Sequence, residues 1–516
     1  MVAALLKILH SGIQDLRLLP PKGQPAVDFF KKAFVKAGRF TTQWVRLDFD
    51  QIPNFAKQAT ITLPRQGHLI SRLYLVANFP EIATYQTQAR TAAGSNFAGP
   101  TFGWTNSLGH ALIASAQIDI GGARVSTIDG RLMEVLDEYN TPYEKVTLVN
   151  DMIKRLDNGF SKTKLGWPGQ GFVTPTQVAV PLPFWFSRGD AGAFLPIDAI
   201  STDLVRLSIN FSPITDLYVS EDLSGSSVTK PLGKLYPQIV GSSFYQFDPT
   251  SPIQISGFNG SQTVRNVSLI PGIQMPTTLN LGDTYLMAEY IYLDKAEANR
   301  FRLADIQIPI TQHYAFEPYN TQNFTNVSIP LRIPNPTRDL FFYAQRVEAP
   351  SYNAPFLATR DLSGLDVLVA PWWPDASGLK AQYFTGEYIP AFTYRESEPI
   401  SNIAFVYEGR LVRYGTAAPA LFRSILTTIN QRKTPWVNKY YYNLSFGVMN
   451  GFLPPSLPSG EANLDKIRRI DLQLAFNALR GCAPGTATPQ YVIYIWAETY
   501  NIFRVYGGRG ALMFAY

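Results

Sequence analysis

The chain has 516 residues, 46% of them hydrophobic, 13% aromatic and only 16% charged, with a net charge of +6. Such a length exceeds one ordinary hydrophobic core, so two large domains are expected, and the composition excludes an intrinsically disordered protein. A single cysteine, Cys482, excludes an intramolecular disulfide framework and points to folding in a reducing compartment or without need of bridges.

The first 19 residues carry Leu5, Leu6, Ile8, Leu9, Ile13 and Leu16 among Lys7, Asp15 and Arg17, a pattern for an amphipathic helix that stops at Pro20-Pro21. No stretch approaches the roughly 20 apolar residues of a membrane span, and the start does not read as a secretory signal. Lys7, Arg17, Lys22, Lys31, Lys32, Lys36 and Arg39 face only Asp15 and Asp28 within residues 1–40, so residues 1–38, with Arg39 at their end, form a basic arm on a nearly neutral body. An arm of this kind suits anionic lipid, nucleic acid or an acidic partner protein, or else packs locally.

Beyond residue 40 the pattern is overwhelmingly strand. Thr60–Leu63 and Leu69–Ala77 are rich in β-branched and apolar residues, and Asp203–Phe211 alternates, with Val205, Leu207, Ile209 and Phe211 on one face. Helical patches are few, chiefly Arg131–Tyr139 and Ala420–Ile429. The pattern also repeats. ALIASAQIDI (111–120), the Gly121-Gly122 turn, ARVSTI and the helix RLMEVLDEY are answered by SNIAFVYEG (401–409), RLVRYG and ALFRSILTTI. QVAVPLPFWF (177–186) then answers to KYYYNLSFGV (439–448), DLVRLSINF (203–211) to IRRIDLQLAF (467–476), and TYLMAEYIYL (284–293) to QYVIYIWAET (490–499).

Four echoes in one order imply two tandem copies of one all-β domain. The copies differ most where residues 212–283 separate the last two strands of the first and only 477–489 those of the second. The longer excursion, rich in Ser, Gly and Pro, is expected to be an exposed recognition loop. The fold expected is two tandem eight-stranded antiparallel jelly rolls with short helices in the loops: 39–296 for the first, with its long loop at 212–283, and 297–516 for the second.

Motifs for chemistry are sparse. His10, His68, His110 and His313 show no metal-ligand spacing, and no nucleophile elbow, phosphate loop or zinc cluster occurs, so no cofactor or metal is expected. His110 reads as a packed strand-end residue. Glu134, Asp137 and Glu138 crowd one short helix; paired acids can cleave glycosides, but three on one helix read as its solvated face. Arg188-Gly189-Asp190 spells an integrin-binding tripeptide and is read as coincidence. Asn-x-Ser/Thr sequons stand at Asn210, Asn259, Asn266, Asn323, Asn326 and Asn443, of which Asn259 and Asn266, in the long loop, are the candidate acceptors. Aromatic and basic residues do not interleave as a single-strand nucleic-acid platform requires, so no specific nucleic-acid binding is expected.

Several segments resemble the major capsid proteins of nucleocytoplasmic large DNA viruses. WTNSLGHALIASAQIDIGG (104–122) is similar to that family's Trp-x-Asn-x-Leu-Gly-His-Ala stretch, and PLPFWFSRGDAGAFLPIDAI (181–200) to its Pro-Leu-Pro-Phe-aromatic-Phe run. AEYIYLDKAEANRF (288–301) resembles the segment joining its two jelly rolls, and YNIFRVYGGRGALMFAY (500–516) its Gly-x-Gly ending. The resemblance implies a non-enzymatic shell protein, synthesised in the host cytoplasm and located in the virion. It would form a homotrimeric, pseudo-hexameric capsomer that tiles an icosahedral lattice. Its arm would meet minor capsid proteins or an inner membrane. The competing reading is a carbohydrate-binding or carbohydrate-cleaving tandem β-sandwich, with a carboxylate pair in a groove.

Overall fold

The computed structural model describes residues 39–80, 101–155, 176–221, 243–254, 263–274, 279–347, 349, 355–360, 398–409, 411–435, 439–448, 450–451, 454, 459–478 and 488–514. The first half opens with β1 (Phe40–Leu47), β2 (Gln58–Thr62), β3 (Leu69–Phe79), β4 (Thr101–Trp104), β5 (Ile113–Ile120) and β6 (Ala123–Ile128). It continues through β7 (Thr176–Pro181), β8 (Val205–Phe211), β9 (Tyr218–Glu221), β10 (Ser243–Gln254), β11 (Thr263–Gln274) and β12 (Thr284–Leu293). Its two main sheets are antiparallel, ordered β1-β12-β3-β7 and β2-β8-β5-β6.

The second half opens with β13 (Ile306–Ala315), β14 (Tyr319–Asn320), β15 (Asn326–Leu331), β16 (Pro336–Arg346), β17 (Ile400–Tyr407) and β18 (Leu411–Ala417). β19 (Tyr441–Ser445), β20 (Ala462–Asn463), β21 (Ile470–Phe476), β22 (Tyr491–Tyr506) and β23 (Arg509–Leu512) complete it. Its sheets run β13-β22-β16-β19 and β15-β21-β17-β18, with β14, β20 and β23 added at the margins of the first.

The two orders are the same order. In each half the first main strand pairs with the last, the last with the third, and the second with the next-to-last, which is jelly-roll topology. The sequence echoes fall on equivalent strands: β5 with β17, β7 with β19, β8 with β21 and β12 with β22. Even the hairpin turns match. Gly121 and Gly122 have φ of 59° and 86°, Glu408 and Gly409 have 49° and 69°, the paired positive values that a two-residue hairpin turn demands.

Alternation along the strands builds each core. β12 buries Leu286, Ala288 and Tyr290 and turns Tyr285, Met287 and Glu289 outward; β8 buries Val205, Leu207, Ile209 and Phe211. β16 differs, buried along both faces apart from its first residue. A strand buried on both sides must be covered from outside its own sandwich, and the first unit provides that cover.

Several expectations need correction. Residues 108–112 form a short helix, so the strand expected from 111 begins at Ile113, because Ser107 turns the chain with φ 52°. Two helices, Tyr143–Ile153 and Lys295–Leu303, went unread; the second links β12 to β13, and the boundary expected after residue 296 falls inside it. Residues 421–429 begin as a π-helix, Leu421–Ile425, before the α-helical Leu426–Ile429. The excursion at 212–283 is not loop throughout, since β10 and β11 pair as an antiparallel hairpin.

The closing hairpin ties the second unit to the first. The Gly508 carbonyl accepts from the Thr202 and Asp203 amides, and the Gly510 amide donates to the Asp203 carboxylate at 3.1 Å. Gly508 has φ 77°, and a Cβ there would lie 2.2 Å from Ser201 Oγ and 2.8 Å from Thr202 Oγ1. Gly508→Ala is therefore expected to cost about 1–3 kcal/mol, read as a lower denaturant midpoint; an unchanged midpoint would show that the hairpin can move aside.

Candidate functional site

The contact between the units is where the charged side chains converge. Helix Gly130–Asn140 begins at Asp129, whose carboxylate accepts from the Leu132 amide at 2.7 Å as a helix cap. The helix is apolar nearly all round, burying Leu132, Met133, Val135, Leu136 and Tyr139, and it carries Glu134 and Glu138 into the same burial. The three acids are thus not a solvated face. Glu134 and Glu138 are 0% and 2% exposed, and solvation is replaced by Arg155 and by Lys433 and Lys439 of the second unit.

Arg155 joins the acids, at 2.5 Å from Glu134, 3.7 Å from Glu138 and in close contact with Asp137. Lys439 bonds Glu134 and lies 3.5 Å from Glu138; Lys433 is 3.4 Å from Glu138. His110 Nδ1 is 2.7 Å from Glu134 Oε2, so this histidine closes the network at a helix rather than at a strand end. Burial alone would raise the carboxyl of Glu134, but Arg155, Lys439 and His110 hold it well below the usual range. Asp137 and Glu138 are likewise lowered against their burial, by Arg155 and by Lys439 with Arg155 respectively.

A second cluster forms where Arg188 leaves the first unit. Its guanidinium bonds Glu498 on β22, and it donates to Thr311 Oγ1 at 3.2 Å and approaches His313 Nε2 at 3.1 Å. The Arg-Gly-Asp tripeptide is thereby engaged internally, with Asp190 also buried and accepting from the Gly192 amide. Arg338 is 3.8 Å from Glu498 and 3.7 Å from Asp339, while Arg432 bonds Asp339 at 2.5 Å and Asn140 at 2.7 Å. Glu498 is held well below the usual range despite its burial, by Arg188 and Arg338. Burial and Arg188 push His313 down to about 3, so it is a neutral acceptor at neutral pH.

Beside His110 of the first cluster lies a cleft of about 460 Å³ lined by both units, including Asp129, Arg131, Phe316, Tyr494 and Trp496. Its polar groups are already engaged: the Trp496 indole donates to Asp129 at 3.0 Å, and Arg131 donates to Gln345 Oε1 at 2.9 Å and lies over the Tyr494 ring.

The remaining sequence candidates are dispersed. His68 Nδ1 accepts from the Leu293 amide at 2.8 Å. Asn210 is half-buried on β8, donating to Ser115 Oγ at 2.8 Å, and Asn443 is buried on β19. Asn323 has φ 66°, and Asn326 opens β15. Asn266 lies on β11 opposite Asp248, in a strand rather than the expected loop. Arg39 is exposed just before β1. His10, Asn259, Cys482 and the arm residues Lys7, Arg17, Lys22, Lys31, Lys32 and Lys36 lie outside the described residues. Among the described residues, no three His, Cys, Asp or Glu side chains gather as a metal site, and no helix is long and apolar enough to cross a membrane.

Comparison with known proteins turns on the first unit. Residues 28–239 match the family described as "Major capsid protein N-terminus". The chain is similar to the double jelly-roll major capsid proteins of nucleocytoplasmic large DNA viruses. This chain is 22% identical to "Probable capsid protein 4" of Acanthamoeba polyphaga mimivirus over 67% of its length and 73% of that one. It is 21% identical to the major capsid protein of Frog virus 3 over 94% and 92% of the two chains. In fold it resembles the capsid protein of PBCV-1, with a TM-score of 0.63 at 17% identity, over 95% of this chain and 100% of that one.

Residue-by-residue reading missed the basic half of both clusters, because Arg155, Lys433 and Lys439 look like ordinary surface residues. Glu498 alone carried a signal: an acid inside the apolar run YVIYIWAETYNIF must find a partner when buried. Arg155→Met, which leaves three buried acids short of their shared cation, is expected to cost about 3–5 kcal/mol in chemical denaturation. A loss under about 1 kcal/mol would mean that the cluster is hydrated.

The pH response has a defined sign. Carboxylates lowered by the fold contribute stability that is complete above their unfolded values of about 4 and is lost as pH falls through the folded ones. His313, depressed from about 6.5, adds a loss that begins lower than pH 6.5; Asp129, raised by burial, runs the other way. The melting temperature is expected to decline gently below pH 6.5 and steeply below about 4. His313→Gln should flatten the first limb, and an unaltered profile would contradict the neutral assignment.

Proposed function

We propose that three copies of this chain close into a ring, placing six jelly rolls around one axis, and that these capsomers tile the facets of an icosahedral shell. One observation carries the reading: a single polypeptide repeats the same strand order in two sandwiches locked side by side. Three such blocks approximate a hexagon, and a hexagon covers a plane. Closed cyclic assembly is the usual solution for soluble oligomers.

Neighbouring capsomers are the partners expected at the rim. The arm bearing Lys7, Arg17, Lys22, Lys31, Lys32, Lys36 and Arg39 is suited by its charge to minor capsid proteins or an anionic inner membrane. The role is non-catalytic: the acids that would serve glycoside cleavage, Glu134, Asp137 and Glu138, are consumed by Arg155, Lys433 and Lys439. Synthesis in the host cytoplasm fits a chain with a single cysteine.

Light scattering of the purified protein is expected to give three times the 57.5 kDa chain mass, and negative-stain images particles of pseudo-hexagonal outline. A stable monomer that binds oligosaccharide would overturn the capsomer in favour of the carbohydrate reading.

A further inference from the structure

Within the chain, helix Gly130–Asn140 of the first unit lies against the outward face of β13-β22-β16-β19. Arg131 reaches Tyr343 and Gln345 on β16, and the Tyr139 hydroxyl donates to the Tyr441 carbonyl on β19 at 2.8 Å. That face is closed: Phe341, Tyr343 and Trp496 are 0%, 1% and 3% exposed. The chain also holds a second copy of each partner in this contact. The helical segment that follows the equivalent hairpin of the second unit, residues 421–429, leaves Ile425 and Ile429 53% and 65% exposed. Among the described residues the equivalent sheet face of the first unit, the outward side of β1-β12-β3-β7, is open too. Pairing of Trp44 with Glu289, and of Arg46 with Met287 and then Tyr74, sets these side chains on that side. Phe40 and Trp44 are 61% and 44% exposed there, with Tyr74 and Met287 half-buried beside them.

We propose that the outward face of β1-β12-β3-β7 receives residues 421–429 of a second copy of this chain, repeating between chains the contact already made within one. The occupant is argued from the duplication. The same topology that packs a helix on the β13-β22-β16-β19 face supplies a second helix and a second face, and each exposes large apolar side chains, on the sheet beside Arg46 and Arg72. The contact joins two different patches, so copies related by a rotation other than a two-fold associate head-to-tail, and such contacts form rings when the rotation closes. The inference deepens the capsomer reading, which supplies closure at three chains.

The test uses the full chain with Ile425→Glu/Ile429→Glu as one variant and Trp44→Glu as another. Both alter residues that are largely exposed, so circular dichroism and melting should match the unaltered protein. Each variant alone is expected to run as a folded monomer in light scattering where the unaltered chain runs as a trimer. An equimolar mixture should give a one-to-one dimer, because one intact helix then meets one intact face but the ring cannot close. Variants that remain trimeric, or a mixture that stays monomeric, would overturn this contact while leaving the capsomer in place. A monomeric unaltered chain would instead remove the capsomer reading itself. Should the variants fail to fold, Ile429→Ser and Trp44→Ser, which add no charge, are expected to weaken the trimer at least tenfold in dissociation constant, and undiminished affinity would overturn the contact.

Discussion

Everything in this molecule depends on covering the outward face of β13-β22-β16-β19. A jelly roll buries one face of each sheet against the other and leaves the remaining two to solvent. Here Phe341, Tyr343, Tyr494 and Trp496 put large aromatic rings on an outer face, and the first unit closes over them with helix Gly130–Asn140 and the Arg188 turn. The second sandwich therefore has that sheet covered by the first unit, and the two units pack against each other along it.

Charge decides how that body is put together. Glu134, Asp137 and Glu138 meet Arg155, Lys433 and Lys439; Glu498, Asp339 and Asp190 meet Arg188, Arg338 and Arg432. Each cluster balances three acids with three bases. Buried ion pairs add little over apolar contacts of the same shape, because desolvation consumes most of their attraction. What they do impose is geometry, since a different docking angle would strand a charge away from water and from its partner. Precise docking of two sandwiches is what a lattice-forming block needs, because small angular errors accumulate across a facet.

Much of the fold was legible because it is written locally. Period-two alternation marked β8 and β12, the Gly121-Gly122 pair marked a hairpin, and the ordered recurrence of four segments exposed the duplication. The misreadings share a physical cause. Helix Tyr143–Ile153 buries only Ile153, so its apolar pattern is faint, and its cap, Pro142, makes no side-chain bond. The acids of helix Gly130–Asn140 looked solvated because three carboxylates on one turn of helix have no local reason to be buried.

The sequence by itself determined the all-β class, the tandem repeat and the kinship with capsid proteins, since periodicity and motif spacing depend only on neighbouring residues. Only the tertiary structure decided that Lys439 lies on Glu134 across 305 positions and Glu498 on Arg188 across 310. Those pairings follow from the relative placement of two sandwiches. A charged residue carries the same local pattern whether its partner waits across an interface or water does.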